Sequence, residues 1–470
     1  MKKSIEASSS AYDDRRRYAF RAISSALIVA LTVTPFAWLW LHFVSENNPT
    51  GHLLGKGNLL MAIGIYTILI VTLFHFFAAF RIGTHRISEV FASQILGIFM
   101  ANFSEILISM AITGQFRYWD NFLVLYFMLT LFQVILLLIY TKLADSFYKK
   151  QFPPIQVLEI YGAYINHLAE KINGRSYLYR VKGRLSAEAP MATIEKAIPN
   201  YDAVLINDVE SERKNDIIKY CYGINKKVYF NPKISDILTR SAVVLNLFDT
   251  PLYIMTNSGR GVIQSLIKRA VDFLLSLTAL VVLSPLLLFV ALAIKLNDGG
   301  PIFYKQKRAT LGGKTFDILK FRSMIVDAEK DGKSRPAKDD DDRITKVGRW
   351  IRPTRMDELP QLINILKGDM SLVGPRPERV EHVEKYSEAI PEFIFRNKVR
   401  GGLTGYAQVY GKYNTTPLDK LKLDLMYIQS WSILLDFQLI IETIKVIFKP
   451  ESTEGFTPED SQKIHDLTGK

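Results

Sequence analysis

The sequence predicts a membrane protein of mixed architecture: a four-helix transmembrane N-terminal region, a Rossmann-like α/β middle domain and a mainly α C-terminal domain with a re-entrant membrane helix. Three observations predict this fold class. Four long apolar stretches fill residues 1–145, short β-branched runs alternate with helical runs over 153–250, and a fifth apolar run with a central proline opens the segment 265–450. We expect residues 451–470 to form a C-terminal tail.

The composition fits this division and limits the partners. A chain of 470 residues exceeds what one core usually holds, and 49% hydrophobic residues alongside a net charge of +13 indicate that apolar residues are concentrated in membrane segments. The basic excess suits anionic partners such as phospholipid or phosphorylated substrates. Nucleic acid is disfavoured, because the basic residues lie at membrane flanks and around an acidic pair, without an aromatic–basic motif. Cys221 is the only cysteine, which excludes an intrachain disulfide and a cysteine-rich metal site.

The four N-terminal stretches, at 22–44, 59–80, 90–113 and 120–141, approach or exceed the ~20 residues that cross a bilayer as a helix. Basic residues precede the first stretch, separate the second from the third and follow the fourth, whereas the other two loops are nearly free of positive charge. Because cytoplasmic loops carry the excess of Lys and Arg, we expect the N-terminus and everything after residue 145 to be cytoplasmic.

The middle domain, 153–250, reads as strands separated by helices. The predicted strands are IQVLEIYG, SYLYRVKGRL, YDAVLIND, KKVYFNP and VVLNLFD. This alternation predicts a parallel α/β sheet. A dinucleotide site would need G-x-G-x-x-G at the first turn, where this chain has YGAYIN with Gly162 alone, so we interpret the domain as an interaction or regulatory module.

The fifth apolar run, 273–294, is long enough to span but carries basic residues on both flanks, so both ends favour the cytoplasm. Ser284-Pro285 lies at its centre, and proline lacks an N–H and clashes with the preceding turn. The hydroxyl of Ser284 is well placed to satisfy a carbonyl left without a donor. We therefore expect a helix over 269–295 that enters the membrane, bends at Ser284-Pro285 and returns, with a kinked full span as the alternative.

An acidic pair, Asp357 and Glu358, lies in RMDELPQL between Arg352, Arg355 and Arg376. One interpretation is that the pair caps a helix that begins at the following proline and ends at a glycine. That helix would start at Pro360, bury Leu359, Leu362, Ile363 and Leu366, and stop at Gly368. The other interpretation is chemistry on an anionic substrate. From this stretch alone, both stay open.

Five sequence blocks decide between them. They are GPIFYKQKR, FDILKFRSM, DDDDRITKVGRWIRPTRMDELPQLINILKGDMSLVGPRPE, RGGLTGYAQVYGK and LDLMYIQSWSILLDF. In this order, behind a Lys-Arg…Ser-Pro membrane helix, they resemble the bacterial sugar transferase family, the polyprenol-phosphate phosphoglycosyl transferases of the monotopic superfamily. The similarity covers about 265–450, and four spans plus a Rossmann-like domain resemble the long form of the family.

The resemblance implies a reaction. A sugar 1-phosphate passes from a nucleotide diphosphate sugar to undecaprenyl phosphate through a covalent intermediate on the aspartate of an Asp-Glu pair, with magnesium. Here that pair matches Asp357 and Glu358, which would also hold Mg²⁺, and the family's arginines match Arg352 and Arg376. The chain departs from the family pattern at 401–411, which concerns loop geometry and sugar choice.

The physical chemistry agrees with this assignment. Phosphoryl transfer needs positioning and charge stabilisation, a carboxylate can serve as covalent acceptor, and arginine forks match phosphate oxygens. Lys320, Arg322 and Arg308 are further candidates for phosphate or substrate contacts, with a place on the membrane surface as the alternative.

The family also implies substrates and a place in the cell. We expect UDP-glucose or UDP-galactose as donor, UMP as product, and a role in starting capsule, exopolysaccharide or O-antigen assembly. The catalytic domain would face the cytoplasm at the bacterial inner membrane, in contact with the lipid bilayer, and the sequence leaves open a homodimer and contacts with downstream glycosyltransferases. The alternative is an inactive, membrane-tethered regulatory module, which the presence of Asp357, Glu358 and Arg376 disfavours.

Overall fold

The structure of the chain is a computed structural model. It describes residues 2–46, 55–162, 168–174, 177–246, 249–255, 261–326, 328, 341–411 and 415–447. The chain divides into two compact units, Met1–Asn231 and Pro232–Lys470.

The first unit begins with four long helices, as the apolar stretches predict. Helix α1 continues directly into a π-helical segment, and α3 ends at Gly114, whose positive φ of 69° closes it. Each of the four is long and apolar enough to span a membrane. The elements are α1 (Lys2–Leu39), the π segment (Trp40–Glu46), α2 (Lys56–Phe76), α3 (Ile87–Thr113) and α4 (Trp119–Gln151).

Neutral polar side chains join these helices in their interior. The Tyr66 hydroxyl donates to Asn102 Oδ1 at 2.8 Å, and Asn102 Nδ2 donates to Gln133 Oε1 at 2.9 Å. Gln133 Nε2 in turn donates to the Thr32 carbonyl at 2.7 Å, which connects α1 to α4. Such amide and hydroxyl bonds hold helices together where no hydrophobic driving force acts between them.

A four-stranded parallel sheet completes the first unit, in the order β2-β1-β3-β4, which confirms the predicted parallel α/β arrangement. At Gly162 an added Cβ would lie 2.0 Å from the Asp208 carbonyl oxygen, so close backbone packing explains this glycine without a ligand. The elements are β1 (Ile155–Tyr161), α5 (Leu168–Asn173), β2 (Tyr179–Ser186), α6 (Met191–Ala197), β3 (Ala203–Asn207), α7 (Ser211–Gly223) and β4 (Lys227–Phe230).

The prediction that VVLNLFD is a fifth strand of this sheet was wrong, because the strand in this run pairs with a different neighbour. After α8 (Ile234–Thr239), Val243–Leu245 forms β5, which pairs antiparallel with β6 (Leu252–Ile254) inside the second unit. A short β-branched run predicts a strand but not its neighbour. A strand a few residues away is reached by a short turn, whereas a parallel partner needs a long crossover.

The rest of the second unit is mainly helical, as predicted. Two strand pairs interrupt the helices: β7 and β8 form an antiparallel hairpin, and β9 pairs with β10 in parallel. The elements are α9 (Val262–Asp298), β7 (Phe303–Ala309), β8 (Thr315–Phe321), α10 (Lys346–Ile351), α11 (Gln361–Lys367), β9 (Ser371–Val373), α12 (Val380–Ala389), β10 (Gly402–Thr404), α13 (Tyr406–Tyr410), α14 (Pro417–Gln429) and α15 (Ile433–Ile447).

Helix α9 is a fifth helix long and apolar enough to span a membrane, and it contains Pro285. The chain stays helical on both sides of this proline. Ser284 Oγ donates to the Val281 carbonyl at 2.7 Å, the carbonyl four residues before Pro285 that the missing N–H leaves without its usual donor. The predicted local rescue by Ser284 is therefore present.

The N-terminal half of α9 is held against other elements of the second unit by buried charges. Lys268 Nζ lies 2.7 Å from Asp436 Oδ2 on α15. Arg269 donates to the carbonyls of Ile365 and Leu366 at 2.6 and 2.8 Å, and so satisfies the C-terminal end of α11. Asp272 accepts a hydrogen bond from Ser371 Oγ at 2.7 Å.

The C-terminal half of α9 is tied to the same unit in a different way. Val290 and Ile294 pack with Phe321 and Ile351 in one buried cluster. Just beyond them, Asp298 pairs with the guanidinium group of Arg322. Both ends of α9 therefore contact the unit that carries the acidic pair.

Candidate active site

The acidic pair lies in a tight turn between α10 and α11. Helix α10 begins after Thr345, whose hydroxyl accepts from the Gly348 N–H at 2.9 Å. Arg355 follows with φ of 52°, a conformation that a non-glycine residue adopts only at a cost. The 3-10 turn Met356–Glu358 then presents both carboxylates, and its last N–H bonds the Arg355 carbonyl at 3.1 Å.

The capping interpretation of this pair is wrong. Helix α11 begins at Gln361, one residue later than expected, and its N-cap residue is Pro360, which makes no side-chain cap bond. The expected stop at Gly368, with φ of 94°, is confirmed. The carboxylates of Asp357 and Glu358 are thus available for contacts other than the helix terminus.

The buried face of α11 also differs from the expected one. It includes two polar residues, Gln361 and Asn364, beside Leu362 and Ile365. Asn364 Nδ2 donates to the Asp317 carbonyl at 2.9 Å, and its Oδ1 accepts from the Leu319 N–H at 2.9 Å. Because the Asn364 amide forms hydrogen bonds with the backbone of β8, it can be buried without an unsatisfied polar group. A search for apolar periodicity does not reveal such a residue.

Glu358 is buried and held by two cations. Lys320 Nζ lies 2.8 Å from its Oε1, while Arg376 contacts Oε1 with one nitrogen and Oε2, at 3.3 Å, with the other. Burial opposes ionisation of this carboxyl, but Arg376 and Lys320 outweigh it and hold the Glu358 pKa well below its usual range. Glu358 in turn raises the pKa of Arg376. The three side chains form one charged cluster.

Asp357 has a different environment. Among the residues that the structure describes, no side chain donates a hydrogen bond to its carboxylate. Burial raises the Asp357 pKa to about 6, and the nearby Lys320 opposes this shift while Glu358 adds to it. Arg352 and Arg376 are close enough to favour its ionised form. Within the described residues, Asp357 is thus a carboxylate that has no side-chain donor but has cations nearby, which suits a nucleophile for an anionic substrate.

The donor set at this turn fits Mg²⁺ held through one protein ligand. Mg²⁺ is usually bound by one or two carboxylates together with substrate phosphates and water. Asp357 offers a carboxylate to which no described side chain donates, whereas Lys320 and Arg376 engage the oxygens of Glu358. Within the described residues no group of three His, Cys, Asp or Glu side chains could hold a metal ion. Asp357, rather than the pair, could therefore hold Mg²⁺ with phosphate oxygens.

The five basic residues that the sequence analysis predicts to contact phosphate or substrate fall into two groups by position. Lys320, Arg352 and Arg376 surround the acidic pair. Arg308 lies behind Arg376, where it donates to the Pro377 carbonyl at 3.1 Å. Arg322 is buried, donates to the Pro301 carbonyl at 2.8 Å and pairs with Asp298, so its guanidinium group ties β8 to the end of α9. Its expected role as a phosphate ligand is not supported by these contacts.

Three buried charged residues near Arg376 were not singled out by the sequence analysis. Glu378 follows Arg376 by two residues, and Arg396 and Asp424 pair with each other at 2.7 Å. Position in the GPRPE block could have pointed to Glu378. Arg396 and Asp424 lie in segments whose charges would ordinarily be solvated, so the sequence carries no signal of their burial.

Comparison with known proteins agrees with the geometry. The profile of the family "Bacterial sugar transferase" matches residues 263–450. The chain is 42% identical over 206 residues to the UDP-glucose:undecaprenyl-phosphate glucose-1-phosphate transferase of Escherichia coli (strain K12), covering 43% of this chain and 42% of that protein.

Two further relatives extend the comparison. One is the UDP-N-acetylgalactosamine-undecaprenyl-phosphate N-acetylgalactosaminephosphotransferase of Aeromonas hydrophila, 38% identical over 53% of this chain and 59% of its own length. Another is the UDP-glucose:undecaprenyl-phosphate glucose-1-phosphate transferase of Caulobacter vibrioides, 44% identical over 38% of this chain and 68% of its own length. The match thus spans 42% and 59% of the first two relatives, about half of their length.

Proposed function

This chain belongs to the bacterial sugar transferase family, and on that premise we propose that it transfers a sugar 1-phosphate from a UDP-sugar to undecaprenyl phosphate, with release of UMP. One observation carries the proposal. In the part of the chain that the structure describes, no side chain donates to the Asp357 carboxylate, while its neighbour Glu358 is fixed by Lys320 and Arg376. A site with one carboxylate left to react and the other used to orient cations suits covalent phosphoryl transfer.

We propose two displacement steps at the β-phosphorus of the nucleotide sugar. In the first, an Asp357 oxygen forms a bond to this phosphorus, the bond to the bridging oxygen breaks, and UMP leaves with that oxygen. In the second, a phosphate oxygen of undecaprenyl phosphate bonds to the same phosphorus and displaces the Asp357 carboxylate. The product is a sugar joined to undecaprenol through a diphosphate, and the enzyme is regenerated.

The cations around the pair have separate tasks in these steps. Arg376 uses two nitrogens on Glu358 and Lys320 uses one hydrogen, so each keeps further donors for the phosphate oxygens. Glu358 acts mainly by fixing both cations before substrate arrives. Asp357 would be the protein ligand of Mg²⁺, which would supply positive charge to the diphosphate. Arg352 adds positive potential that draws the anionic donor towards Asp357.

We propose UDP-glucose as the first donor to test and UDP-galactose as the second. The names of two relatives specify glucose 1-phosphate transfer, and the name of a third specifies N-acetylgalactosamine. The lipid-linked product would start the assembly of a capsule, exopolysaccharide or O-antigen.

The contacts of α9 support a re-entrant rather than a spanning arrangement. A straight helix from Lys268 to Asp298 would be roughly 45 Å long, compared with about 30 Å for the hydrocarbon core of a bilayer. Yet Lys268 pairs with Asp436 and Asp298 pairs with Arg322, both in the second unit. We propose that both ends lie on the cytoplasmic side of the inner membrane, where nucleotide sugars are present.

Cysteine labelling tests this topology in a Cys221→Ser background. Ser265 and Lys305 are exposed and lie on either side of the apolar run, so Ser265→Cys and Lys305→Cys place one probe at each flank. We expect both probes to react from the cytoplasmic side only. Labelling of the two probes from opposite sides would contradict the re-entrant arrangement and favour a full span.

A nucleotide-sugar panel tests the reaction itself. Purified full-length protein is incubated with each UDP-sugar and Mg²⁺, with and without undecaprenyl phosphate, and both UMP and lipid-linked sugar are measured. We expect sustained UMP release only with the lipid, in equal amount to the lipid-linked product, and greatest with UDP-glucose or UDP-galactose. Absence of lipid product with every donor would contradict the proposed function.

A further inference from the structure

The segment 374–378, which reads GPRPE and carries Arg376, is fixed through its backbone carbonyls. The Pro375 carbonyl accepts from the Gly402 N–H at 2.9 Å, and the Glu378 carbonyl accepts from the Ala309 N–H at 3.0 Å. Two side chains bond the carbonyls between them. Arg396 donates to the Arg376 carbonyl at 2.9 Å, and Arg308 donates to the Pro377 carbonyl at 3.1 Å.

The two prolines of this segment explain why such contacts are needed. Pro375 and Pro377 have no N–H, so the segment cannot hold its own position through an ordinary ladder of donors and acceptors. Its carbonyls instead take donors from β7, from β10 and from the 3-10 segment Pro391–Lys398. The backbone that carries the Arg376 guanidinium group is thereby held from several directions at once.

Arg396 is the most enclosed of these donors, with 2% of its side chain exposed. Its Nε and one terminal nitrogen contact Asp424 Oδ2 at 3.1 and 2.7 Å, and its other terminal nitrogen lies 3.4 Å from Glu378 Oε1. Lys420 also pairs with Glu378. Buried charges of this kind are costly unless geometry fixes them, so the cluster ties Arg396 to one orientation.

The same terminal nitrogen that contacts Asp424 also donates to the Arg376 carbonyl. Only a planar fork with several fixed N–H groups can face Asp424, Glu378 and a backbone carbonyl at once. Lysine at this position would keep the charge and lose the fixed directions of the donors.

We propose that Arg396 is a positioning residue for the transfer reaction, acting through the Arg376 carbonyl to hold the Arg376 guanidinium group on Glu358. This inference rests on the proposed function. Arg396 touches neither carboxylate of the acidic pair in the described contacts, and its effect passes through one backbone bond. Misplacement of a catalytic group by about 1 Å can cost about 100-fold in rate, so loss of this bond has a measurable consequence.

A double-mutant cycle separates positioning from general stabilisation. Arg396→Lys is compared with Arg400→Lys, an exposed arginine of the same chain segment, in the wild-type and in the Arg376→Lys backgrounds. Measured quantities are kcat, KM for the UDP-sugar and the midpoint of thermal unfolding. The variants in the Arg376→Lys background are measured under single-turnover conditions at high enzyme concentration.

We expect Arg396→Lys to lower kcat about tenfold or more in the wild-type background, with KM close to that of Arg400→Lys. The unfolding midpoint should fall below that of Arg400→Lys by the same amount in both backgrounds, because a buried ion pair is altered in each. In the Arg376→Lys background, Arg396→Lys should lower the rate of transfer less than about twofold, because the residue that Arg396 positions is already altered. An equal loss in both backgrounds, or wild-type kinetics for Arg396→Lys, would overturn the inference.

A second variant covers the case in which Arg396→Lys does not fold. Asp424→Asn removes the anchor of Arg396 and keeps Arg396 itself, and we expect the same dependence on the Arg376 background with a smaller loss. A loss that is equal in both backgrounds would again overturn the inference. Turnover by the wild-type protein in the same assays tests the proposed function separately. A failure of the proposed function can therefore be distinguished from a failure of the inference about Arg396.

Discussion

The two units of the molecule bury polar groups in different ways. The described helices of the N-terminal unit join Tyr66, Asn102 and Gln133 through neutral hydroxyl and amide bonds. The second unit buries ion pairs, among them Lys268 with Asp436 and Arg396 with Asp424. The network that joins the N-terminal helices is neutral and that of the second unit is charged, although the first unit also buries Glu105 on α3 and Glu159 on β1.

The difference between the neutral and the charged network follows from the surroundings and the task of each region. Neutral bonds suffice to join helices that are long and apolar enough to span a membrane. A site for a diphosphate needs fixed cations, and these need buried acids to keep them in place before the substrate arrives. Glu358 with Arg376 is the clearest case. We therefore expect changes at the acidic pair and its cations to affect chemistry, and changes in the bundle to affect stability only.

The largest expected effect is that of Asp357→Asn. The amide keeps the size of the side chain but cannot readily form an acyl phosphate, so transfer of sugar phosphate should be abolished while the protein stays folded in membranes. Lipid-linked product is measured with the purified variant, and deamidation is excluded by mass spectrometry. Substantial turnover would show that Asp357 is not the acceptor.

Arg376→Lys should be the next most severe change. Lysine keeps the positive charge but loses the fork that contacts both oxygens of Glu358, so we expect a loss of about 100-fold or more in kcat/KM. Arg349→Lys, on the exposed surface of α10, is the matched control and should be near wild type. Equal kinetics for the two variants would reduce Arg376 to an electrostatic or structural role.

Asp436→Asn tests a buried charge of the second unit that lies away from the acidic pair. Among the described residues, it leaves Asp272, at 3.7 Å, as the carboxylate beside the buried Lys268, and breaking a buried pair costs about 3–5 kcal/mol. We expect a clear fall in the free energy of unfolding, measured with denaturant in detergent micelles. A change below about 1 kcal/mol would mean that this pair does not anchor α9.

Tyr66→Phe gives the smallest effect and completes the comparison. It removes one hydroxyl from the neutral network of the bundle, where such bonds contribute about 0.6 kcal/mol on average. Transfer activity should be unchanged. A loss of activity at normal stability would show that the bundle takes part in the reaction, and the contrast between the units would fail.

The sequence predicts the elements of this fold better than their partners. Apolar length identifies the four N-terminal helices, and alternating β-branched runs identify the parallel sheet. The same reasoning assigned Val243–Leu245 to that sheet, because a short strand carries no information about its neighbour. It also missed Asn364 on the buried face of α11, where a polar amide is satisfied by the backbone of β8.

The candidate site shows the same division. Motif resemblance predicted Asp357, Glu358 and Arg376 together, and the structure brings them together. In the described part of the chain, Glu358 is paired and Asp357 is not. The sequence could not distinguish the two, because adjacent carboxylates in one turn differ only in the side chains that distant segments bring to them. The structural roles of Arg322 and Arg396 were equally hidden, since each depends on a partner far along the chain.

Direct capture of the acceptor tests the central claim most sharply. Purified full-length protein is incubated with UDP-glucose or UDP-galactose, labelled in the sugar and at the β-phosphate, without undecaprenyl phosphate. We predict that label attaches to Asp357 in proportion to the UMP released, that undecaprenyl phosphate then removes it as lipid product, and that Asp357→Asn takes up none. Lipid product formed by the wild-type protein with no label on Asp357, or formed by Asp357→Asn at the wild-type rate, would contradict the account.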